Sequence, residues 1–480
     1  MFPQKGRTQT DVLANVEQMK SLDMNWRSRK YFDYVFYGGD ELHELIKKAY
    51  ESYMDANGLN PTMFAGLRKM EEEVIAMTAD LLNGQRQATG NMSSGGTESI
   101  MLALLAAREW ANKHKPNITH PQVIVPNTAH PAFFKAAHYF GIQIKSIPVQ
   151  ADFRADIAAT RQAISSQTIM LVGSAPSYPQ GVVDDLVGLA QLAQQHGILC
   201  HSDACVGGFI LPFAKKLGYD IPPFDFSVPG ITSISADLHK YGYSAKGASV
   251  ILYRDPEIRR GQFFVKTDWA GGIFGSPSLA GTRPGGAIAA AWAVLQHLGM
   301  EGYLAKTATA MNEVQILKQG IAQIDGVYIL GKPNAATLAI GSDKYDIYAV
   351  ADEMSLLGWS LNRQQLPPSI HITLTDYHVG MAQVFLDDLQ VAIKKSTQIN
   401  WQNIKKNAQV GAVKRLKQWL PDNLFERLTS SQKNGNTQHE SPRKAAMYGM
   451  MTQLSGSASL DEMVRAFLDQ LNTRQGKKGG

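Results

Sequence analysis

The sequence predicts an α/β protein, a mostly parallel sheet covered on both faces by helices, with a smaller α+β domain after it. Two observations carry this. From about residue 61 to 305, helical patterns such as 67–82 and 97–113 alternate with short β-rich runs at 122–125, 142–149, 168–172 and 197–200. Those runs are almost continuously apolar, as strands covered on both faces are. Two further runs, 231–234 and 248–253, continue the series.

The remaining elements follow in order. Residues 1–60 read as a helical and loop lead-in, with Tyr34, Phe36 and Tyr37 before Gly38 and Gly39. Residues 61–305 form the large domain. Pro284-Gly285-Gly286 opens a long apolar helix over 287–298. Residues 306–480 form the small domain, with a helix, strands near 328–330 and 336–340, and another helix over 348–357. The polar, turn-rich stretch 430–445 reads as a linker. Terminal helices at 446–454 and 460–471 follow, and 477–480 reads as a frayed end.

Composition excludes several function classes. The chain has 480 residues, 44% of them hydrophobic, enough for a large core. A net charge of +5 is mild for this length. The most basic stretch, 405–417, interleaves lysines with apolar residues and reads as a solvated helix face, so no nucleic-acid partner is expected. Cys200 and Cys205 fit neither a zinc spacing nor a disulfide framework, which suggests a reducing, cytoplasmic setting. No signal-peptide core occurs in residues 1–30, and the apolar run 100–107 stops at Arg108-Glu109, so no membrane anchor is expected. No metal constellation stands out, since His196, His201 and His239 are scattered. A Gly-x-Ser-x-Gly hydrolase elbow is also missing; Gly242-Tyr243-Ser244-Ala245-Lys246 comes nearest, with Lys246 in place of the second glycine.

The chemistry concentrates in the turn between the runs 231–234 and 248–253, Ala236-Asp237-Leu238-His239-Lys240-Tyr241-Gly242. Burial at a strand's end lowers a lysine's pKa, and a neutral amine is a nucleophile able to form a Schiff base with an aldehyde such as that of pyridoxal phosphate (PLP). A surface turn with solvated lysines has the same composition, so the other parts of such a site decide. Ser93-Ser94-Gly95-Gly96-Thr97-Glu98 precedes a strong helix; Ser94, Gly95, Gly96 and Thr97 can crowd backbone N–H groups and hydroxyls around a phosphate, or simply cap the helix. His130 follows the strand ending at Val125, where an imidazole can stack on a ligand ring. Asp203 follows the strand ending at Cys200. An acid there is a helix cap, a metal ligand or the partner of a cation such as a pyridinium nitrogen.

Phosphate cradle, histidine, aspartate and His-Lys, in that order, resemble the group II PLP-dependent decarboxylase family. The match extends to its sphingosine-1-phosphate lyase branch. It is carried by Ser94-Gly95-Gly96-Thr97-Glu98-Ser99, Asp203-Ala204-Cys205-Val206-Gly207-Gly208-Phe209 and Ala236-Asp237-Leu238-His239-Lys240-Tyr241-Gly242-Tyr243. Trp269-Ala270-Gly271-Gly272-Ile273 and Gly281-Thr282-Arg283-Pro284-Gly285-Gly286 fit as well. The resemblance implies a fold-type I, PLP-dependent transferase-like fold and a homodimer. It implies that Lys240, beside His239, carries PLP and that Asp203 pairs with the ring nitrogen. His130 would stack on the ring, and Ser94, Gly95, Gly96 and Thr97 would hold the cofactor phosphate. Tyr37, Tyr178 and Lys246 resemble the family's substrate-side tyrosines and lysine, with Tyr178 or Lys240 returning a proton to the substrate. Asn60, in Leu59-Asn60-Pro61, stands where the branch carries a histidine that helps hold the substrate phosphate. The implied reaction splits a phosphorylated long-chain amino alcohol into a fatty aldehyde and phosphoethanolamine. An amino-acid decarboxylase on the same scaffold, using Lys246 or Arg283 against a substrate carboxylate, and a catalytically silent PLP-binding protein are the alternatives.

Overall fold

The computed structural model of the chain describes residues 2–60, 62–398 and 444–472. The large sheet contains β1 (Thr89–Ser93), β2 (Gln122–Pro126), β3 (Gln143–Ile147), β4 (Thr168–Ser174), β5 (Leu199–Asp203), β6 (Ser233–Ala236) and β7 (Ser249–Tyr253). Their order is β1-β7-β6-β5-β4-β2-β3. From β6 through β5, β4 and β2 to β3 every pairing is parallel. Every residue of β4, β5 and β6 is buried, which is why β4 lacks a polar alternation and why the alternating hydroxyls of β6, Ser233 and Ser235, need buried partners. Along β2 the side chains divide between two cores, Val123 and Val125 into one and Ile124 into the other, as a period of two requires.

The sequence reading continues the parallel series through 248–253, and the structure corrects it. β7 runs antiparallel to both β6 and β1. The reason is the connection. Between Ala236 and Ser249 the chain forms turns and no helix, so it folds back beside β6 without crossing the sheet. That turn carries Lys240. β1, which leads into the glycine-rich helix start, has little β signal in Thr-Gly-Asn-Met-Ser; its pairing with β7 imposes the strand.

A hairpin of β8 (Phe264–Trp269) and β9 (Gly272–Ser276) follows. The small domain is a four-stranded antiparallel sheet of β10 (Tyr328–Ile329), β11 (Thr337–Gly341), β12 (Asn362–Gln365) and β13 (Pro368–Thr373), in the order β10-β11-β13-β12. Helices Ile347–Leu356 and Met381–Thr397 accompany it. The helix Gly285–Ile321 joins the two parts, and the boundary read at residue 305 falls inside it. The break in that helix is at Gly299, whose φ of 52° and ψ of −168° leave the helical region.

The lead-in reaches the small domain rather than standing apart. Phe32 is buried against Trp359 and Phe385, with ring centroids 5.1 and 5.2 Å away. Thr373 N–H donates to the Phe32 carbonyl at 2.9 Å, and Ser360 N–H to that of Lys30 at 2.8 Å. This anchoring fixes Asp33 between the loop after β4 and strand β12, where it meets Tyr178 and Asn362. Helices Ala445–Leu454 and Ala458–Asn472 close the described chain. The basic stretch 405–417, the linker core 430–443 and the end 477–480 lie outside the described residues. Among those described, no helix is long and apolar enough to cross a membrane.

Candidate active site

Lys240 lies in the turn after β6, at the carboxyl end of the parallel strands. Its Nζ is 2.9 Å from Oδ2 of Asp237, whose side chain is buried. Burial pulls the lysine pKa down, but the Asp237 carboxylate, followed by Cys205 and Asp203, more than reverses this and raises it. In the cofactor-free chain Asp237 thus favours the charged form of the side chain, where the sequence reading expects a neutral amine. The other Asp237 oxygen, Oδ1, is buried and has no hydrogen-bond partner. His239 lies beside the pair, its Nδ1 accepting from Ala248 N–H at 3.2 Å and its Nε2 3.7 Å from Asp237 Oδ2.

The glycine-rich start of helix Gly96–His114 abuts this turn. A Cβ on Gly96 would lie 2.8 Å from both Asp237 Oδ2 and Cys205 Sγ, and one on Gly95 3.3 Å from the His239 ring. Only glycine lets the backbone come so close. Among the described residues no side chain caps the helix, so its first N–H groups are left for a ligand. The cradle is tied down from behind. Ser94 N–H donates to Glu98 Oε2 at 2.7 Å, and Leu279 N–H donates to Glu98 Oε1 at 2.9 Å.

Asp203 ends β5, level with Ser235 in the neighbouring strand. Its Oδ1 accepts from Cys205 N–H at 3.1 Å and from the Ser235 hydroxyl at 3.2 Å. Behind them His201 is wholly buried, with Nδ1 2.9 Å from Ser233 Oγ and Nε2 3.2 Å from Ser235 Oγ. Burial pushes its pKa down to about 4, so the ring is neutral. Because Ser235 donates to Asp203, it accepts from His201 Nε2–H, and Nδ1 takes the Ser233 proton. A relay of neutral groups thus fixes one oxygen of Asp203. Ser233 and Ser235 were the available sequence signal: two hydroxyls at alternate positions of a buried strand need buried partners.

His130 follows β2 with its ring open to solvent, and its Nδ1 accepts from Ala132 N–H at 3.1 Å. The surrounding protein lowers its pKa against the pull of Asp203, which leaves a neutral ring with Nε2–H free to donate. Lys246 Nζ donates to the His239 carbonyl at 3.1 Å and lies 5.2 Å over the Phe36 ring. Burial of its stem and the Lys240 charge draw its pKa to about 8, while solvent at its exposed end works against the shift. Tyr178, in the loop after β4, donates its phenol proton to Asp33 Oδ2.

Two residues from the sequence reading lie elsewhere in this chain. The Tyr37 hydroxyl meets Asp40, and its ring sits between Trp26 and Tyr377 at 5.0 and 4.9 Å. Its neighbour Phe36 is the one that touches Lys246. Asn60 is exposed, and its Oδ1 accepts from the N–H groups of Thr62 at 3.1 Å and Met63 at 3.2 Å. Among the described residues, no contact joins Tyr37 or Asn60 to Lys240 or Lys246.

The family model for the pyridoxal-dependent decarboxylase conserved domain matches residues 1–339. The chain belongs to the pyridoxal-dependent decarboxylase family. Sphingosine-1-phosphate lyase of Arabidopsis thaliana is 46% identical over 402 residues, 82% of this chain and 73% of that one. Sphingosine-1-phosphate lyase 1 of Rattus norvegicus is 42% identical over 415 residues, 86% of this chain and 72% of that one. The solved sphingosine-1-phosphate lyase of Burkholderia pseudomallei superposes with a TM-score of 0.80 at 38% identity, covering 88% of this chain and 97% of that one.

PLP is the cofactor of this family, and the residues present fit it. The helix start without a side-chain cap suits a phosphate, and Gly96 lets that start lie against Asp237 and Cys205, where a Cβ would stand 2.8 Å from both. Asp203 makes its hydrogen bonds through Oδ1, leaving Oδ2 for a protonated ring nitrogen. Lys240 lies between the two. Among the described residues no group of histidine, cysteine and carboxylate side chains could hold a metal ion.

Proposed function

We propose that this chain is a PLP-dependent carbon–carbon lyase that cleaves a phosphorylated long-chain amino alcohol into a fatty aldehyde and phosphoethanolamine. The observation that carries this reading is the state of the two candidate cations. Arg283 is locked inside the protein, bonded to Glu71 and donating to the Met92 carbonyl at 3.2 Å. Lys246 has only a backbone carbonyl as hydrogen-bond partner at the mouth of the site, among the described residues. One accessible lysine at the mouth of the site suits a substrate phosphate, and a carboxylate would meet it equally, so the choice of phosphate rests on the likeness to the lyase relatives. The names of the relatives support the same substrate class.

When bound, PLP supplies the electron sink that accepts the pair left by Cα–Cβ cleavage. The chain's own residues do the rest. Ser94, Gly95, Gly96 and Thr97 hold the cofactor phosphate, Lys240 with His239 beside it holds the carbonyl end, and His130 covers the ring. Asp203, fixed by Ser235 and Cys205, keeps the ring nitrogen protonated. Lys246 takes the substrate phosphate and so orients the scissile bond across the ring plane. Lys240 would take the proton that the β-hydroxyl gives up as the aldehyde forms and could return one at Cα; burial and the Asp33 carboxylate raise the Tyr178 pKa, so its phenol stays protonated and is the other proton source once it turns from Asp33 toward Cα. The working form in this reading is a homodimer in the cytoplasm, a reducing setting supported by two free, buried cysteines.

The test measures aldehyde and carbon dioxide from one preparation of the loaded enzyme. A phosphorylated sphingoid base is expected to yield aldehyde, and common amino acids no carbon dioxide. Carbon dioxide without aldehyde overturns the lyase in favour of a decarboxylase.

A further inference from the structure

Arg283 and Glu71 form a buried ion pair, their side chains 8% and 12% exposed, and none of the roles above uses it. The pairing is two-pronged: Arg283 Nη1 donates to Glu71 Oε2 at 3.0 Å, and Nη2 donates to Oε1. Glu71 comes from helix Ala65–Leu81, and Arg283 from the turn that leads into helix Gly285–Ile321. Both side chains then reach one residue of β1. Met92 N–H donates to Glu71 Oε1 at 3.0 Å, and Arg283 Nη2 donates to the Met92 carbonyl at 3.2 Å. β1 stands at the end of the large sheet, with β7 as its only strand partner among the described residues. A residue of an antiparallel strand turns its N–H and its carbonyl to the same side, and at Met92 that side is the open one. Two side chains thus make the pair of bonds that a further strand would make. Arg283 also fastens the segment before Asn60. Its Nη1 donates to the Gly58 carbonyl at 3.3 Å, its backbone N–H to Asn57 Oδ1 at 3.1 Å, and its carbonyl accepts from Gly58 N–H at 2.9 Å.

We propose that Glu71 and Arg283 are positioning residues for the phosphate cradle, fixing where β1 delivers Ser94, Gly95 and Gly96. The role concerns the cofactor and holds for a lyase and a decarboxylase alike. β1 needs the support, because Thr-Gly-Asn-Met-Ser has little strand preference and Gly90 adds backbone freedom. Met92 lies two residues before Ser94, and the chain passes from β1 straight into the helix start. A slip or tilt of the strand end therefore moves the N–H groups left for the phosphate. The chemistry of the pair suits the task. A carboxylate only accepts and a guanidinium only donates, so each can meet one of the two Met92 groups and not the other. Their charges cancel, so no net charge is buried behind the cradle. The rigid fork of the arginine serves Glu71, Met92 and Gly58 together, which the single nitrogen of a lysine cannot do in the same geometry.

The experiment measures dissociation constants for PLP and for pyridoxal, which lacks the phosphate, by cofactor absorbance on the cofactor-free full chain. It compares wild type, Arg283→Lys and the double variant Glu71→Leu, Arg283→Met. Arg283→Lys is expected to weaken PLP by ~10-fold or more, the weight of one charge-assisted hydrogen bond, and to change the pyridoxal constant by less than ~2-fold. The double variant removes both charges and strands neither, so the fold is expected to survive while Met92 is left unheld. The same selective loss of PLP affinity is expected there. Phosphorus NMR of the bound cofactor is expected to show a displaced phosphate signal in both variants. Equal losses for PLP and pyridoxal mean that the pair only holds the fold together, and they overturn the proposal. Wild-type PLP affinity in either variant overturns it as well. Should one variant fail to fold, the two constants of the other decide.

Discussion

Lys240 and Lys246 stand in the same turn and are shifted in opposite directions, and the difference is one carboxylate. Asp237 lies against Lys240 and holds it charged, whereas Lys246 meets a carbonyl and feels the Lys240 charge. A lysine whose folded pKa is drawn from 10.5 to about 8 is disfavoured as a cation in the fold. Its contribution to stability is lowest below about pH 8 and recovers as pH rises toward 10.5. Phosphate binding has the opposite requirement, because it needs the ammonium. KM for the phosphorylated substrate is therefore expected to climb as pH passes through about 8 and to stay flat across that range in Lys246→Arg. A pH series of initial rates on both proteins checks this, and a wild-type KM that is flat through pH 9 contradicts it. Asp203 offers a second test. Asp203→Asn keeps the shape and loses the charge, so cofactor binding is expected to survive while turnover falls ~100-fold or more. Ser235→Ala removes one charge-assisted hydrogen bond to the same carboxylate, worth about 1.5–3 kcal/mol, but leaves the charge and the Cys205 N–H in place, so it is expected to cost ~10-fold, less than Asp203→Asn. Equal losses in the two variants would show that the aspartate acts as structure alone.

Elements whose signal is local were legible in the sequence. The strands β2 and β4 announce themselves as β-branched apolar runs, and Ser94-Gly95-Gly96-Thr97 announces a helix start with more small residues than a cap needs. Lys240 and Asp203 were legible because each lies a few residues past a short apolar run, 231–234 and 197–200. β1 was not, since Gly90 and Asn91 weaken a strand that exists through its pairing with β7. Asp237 was quoted within its motif but gave no sign of its role, because only the turn geometry brings it back onto Lys240. The meeting of Asp33, Tyr178 and Asn362 was beyond reach, since no local spacing relates residues from the lead-in and both sheets. Similarly, whether Phe36 or Tyr37 faces Lys246 depends on how the lead-in lies across the small domain. The helix start makes its own prediction. In Gly96→Ala the new methyl would meet Asp237 and Cys205 at 2.8 Å, so the lysine turn must shift. Alanine favours the helix itself by roughly 0.5–1 kcal/mol, which offsets much of the strain, and Tm is expected to change little. The affinity for PLP is expected to fall ~10-fold or more, as titration by absorbance would show; unaltered affinity would mean that the cradle does not hold the phosphate.

For the whole molecule, the β8–β9 hairpin is one feature that a single chain leaves unsatisfied. Every residue of β8 is exposed, and among the described residues β8 pairs with β9 alone. Trp269 is 56% exposed and Ile273 81%, with Phe264 and Val265 beside them. An isolated two-stranded hairpin is marginal in water, and exposed aromatic and aliphatic side chains on one such element mark a surface that another protein covers. In the proposed homodimer the second copy is that protein. The hairpin is also coupled to the chemistry, because the chain beyond β9 reaches Leu279, whose N–H holds Glu98 at 2.9 Å behind the phosphate cradle. In the proposed homodimer, covering the hairpin would therefore steady the cradle. The double variant Trp269→Ser, Ile273→Ser removes two apolar anchors, and hot-spot residues of this kind contribute about 2 kcal/mol or more each. Its dimer dissociation constant is expected to rise by ~100-fold or more, measured by sedimentation equilibrium. PLP titrations on the same samples are expected to show weaker binding as the monomer fraction grows. A double variant that dimerises as tightly as wild type overturns the role of the hairpin. A monomer that binds PLP with wild-type affinity leaves the interface standing and breaks only its link, through Leu279 and Glu98, to the cradle.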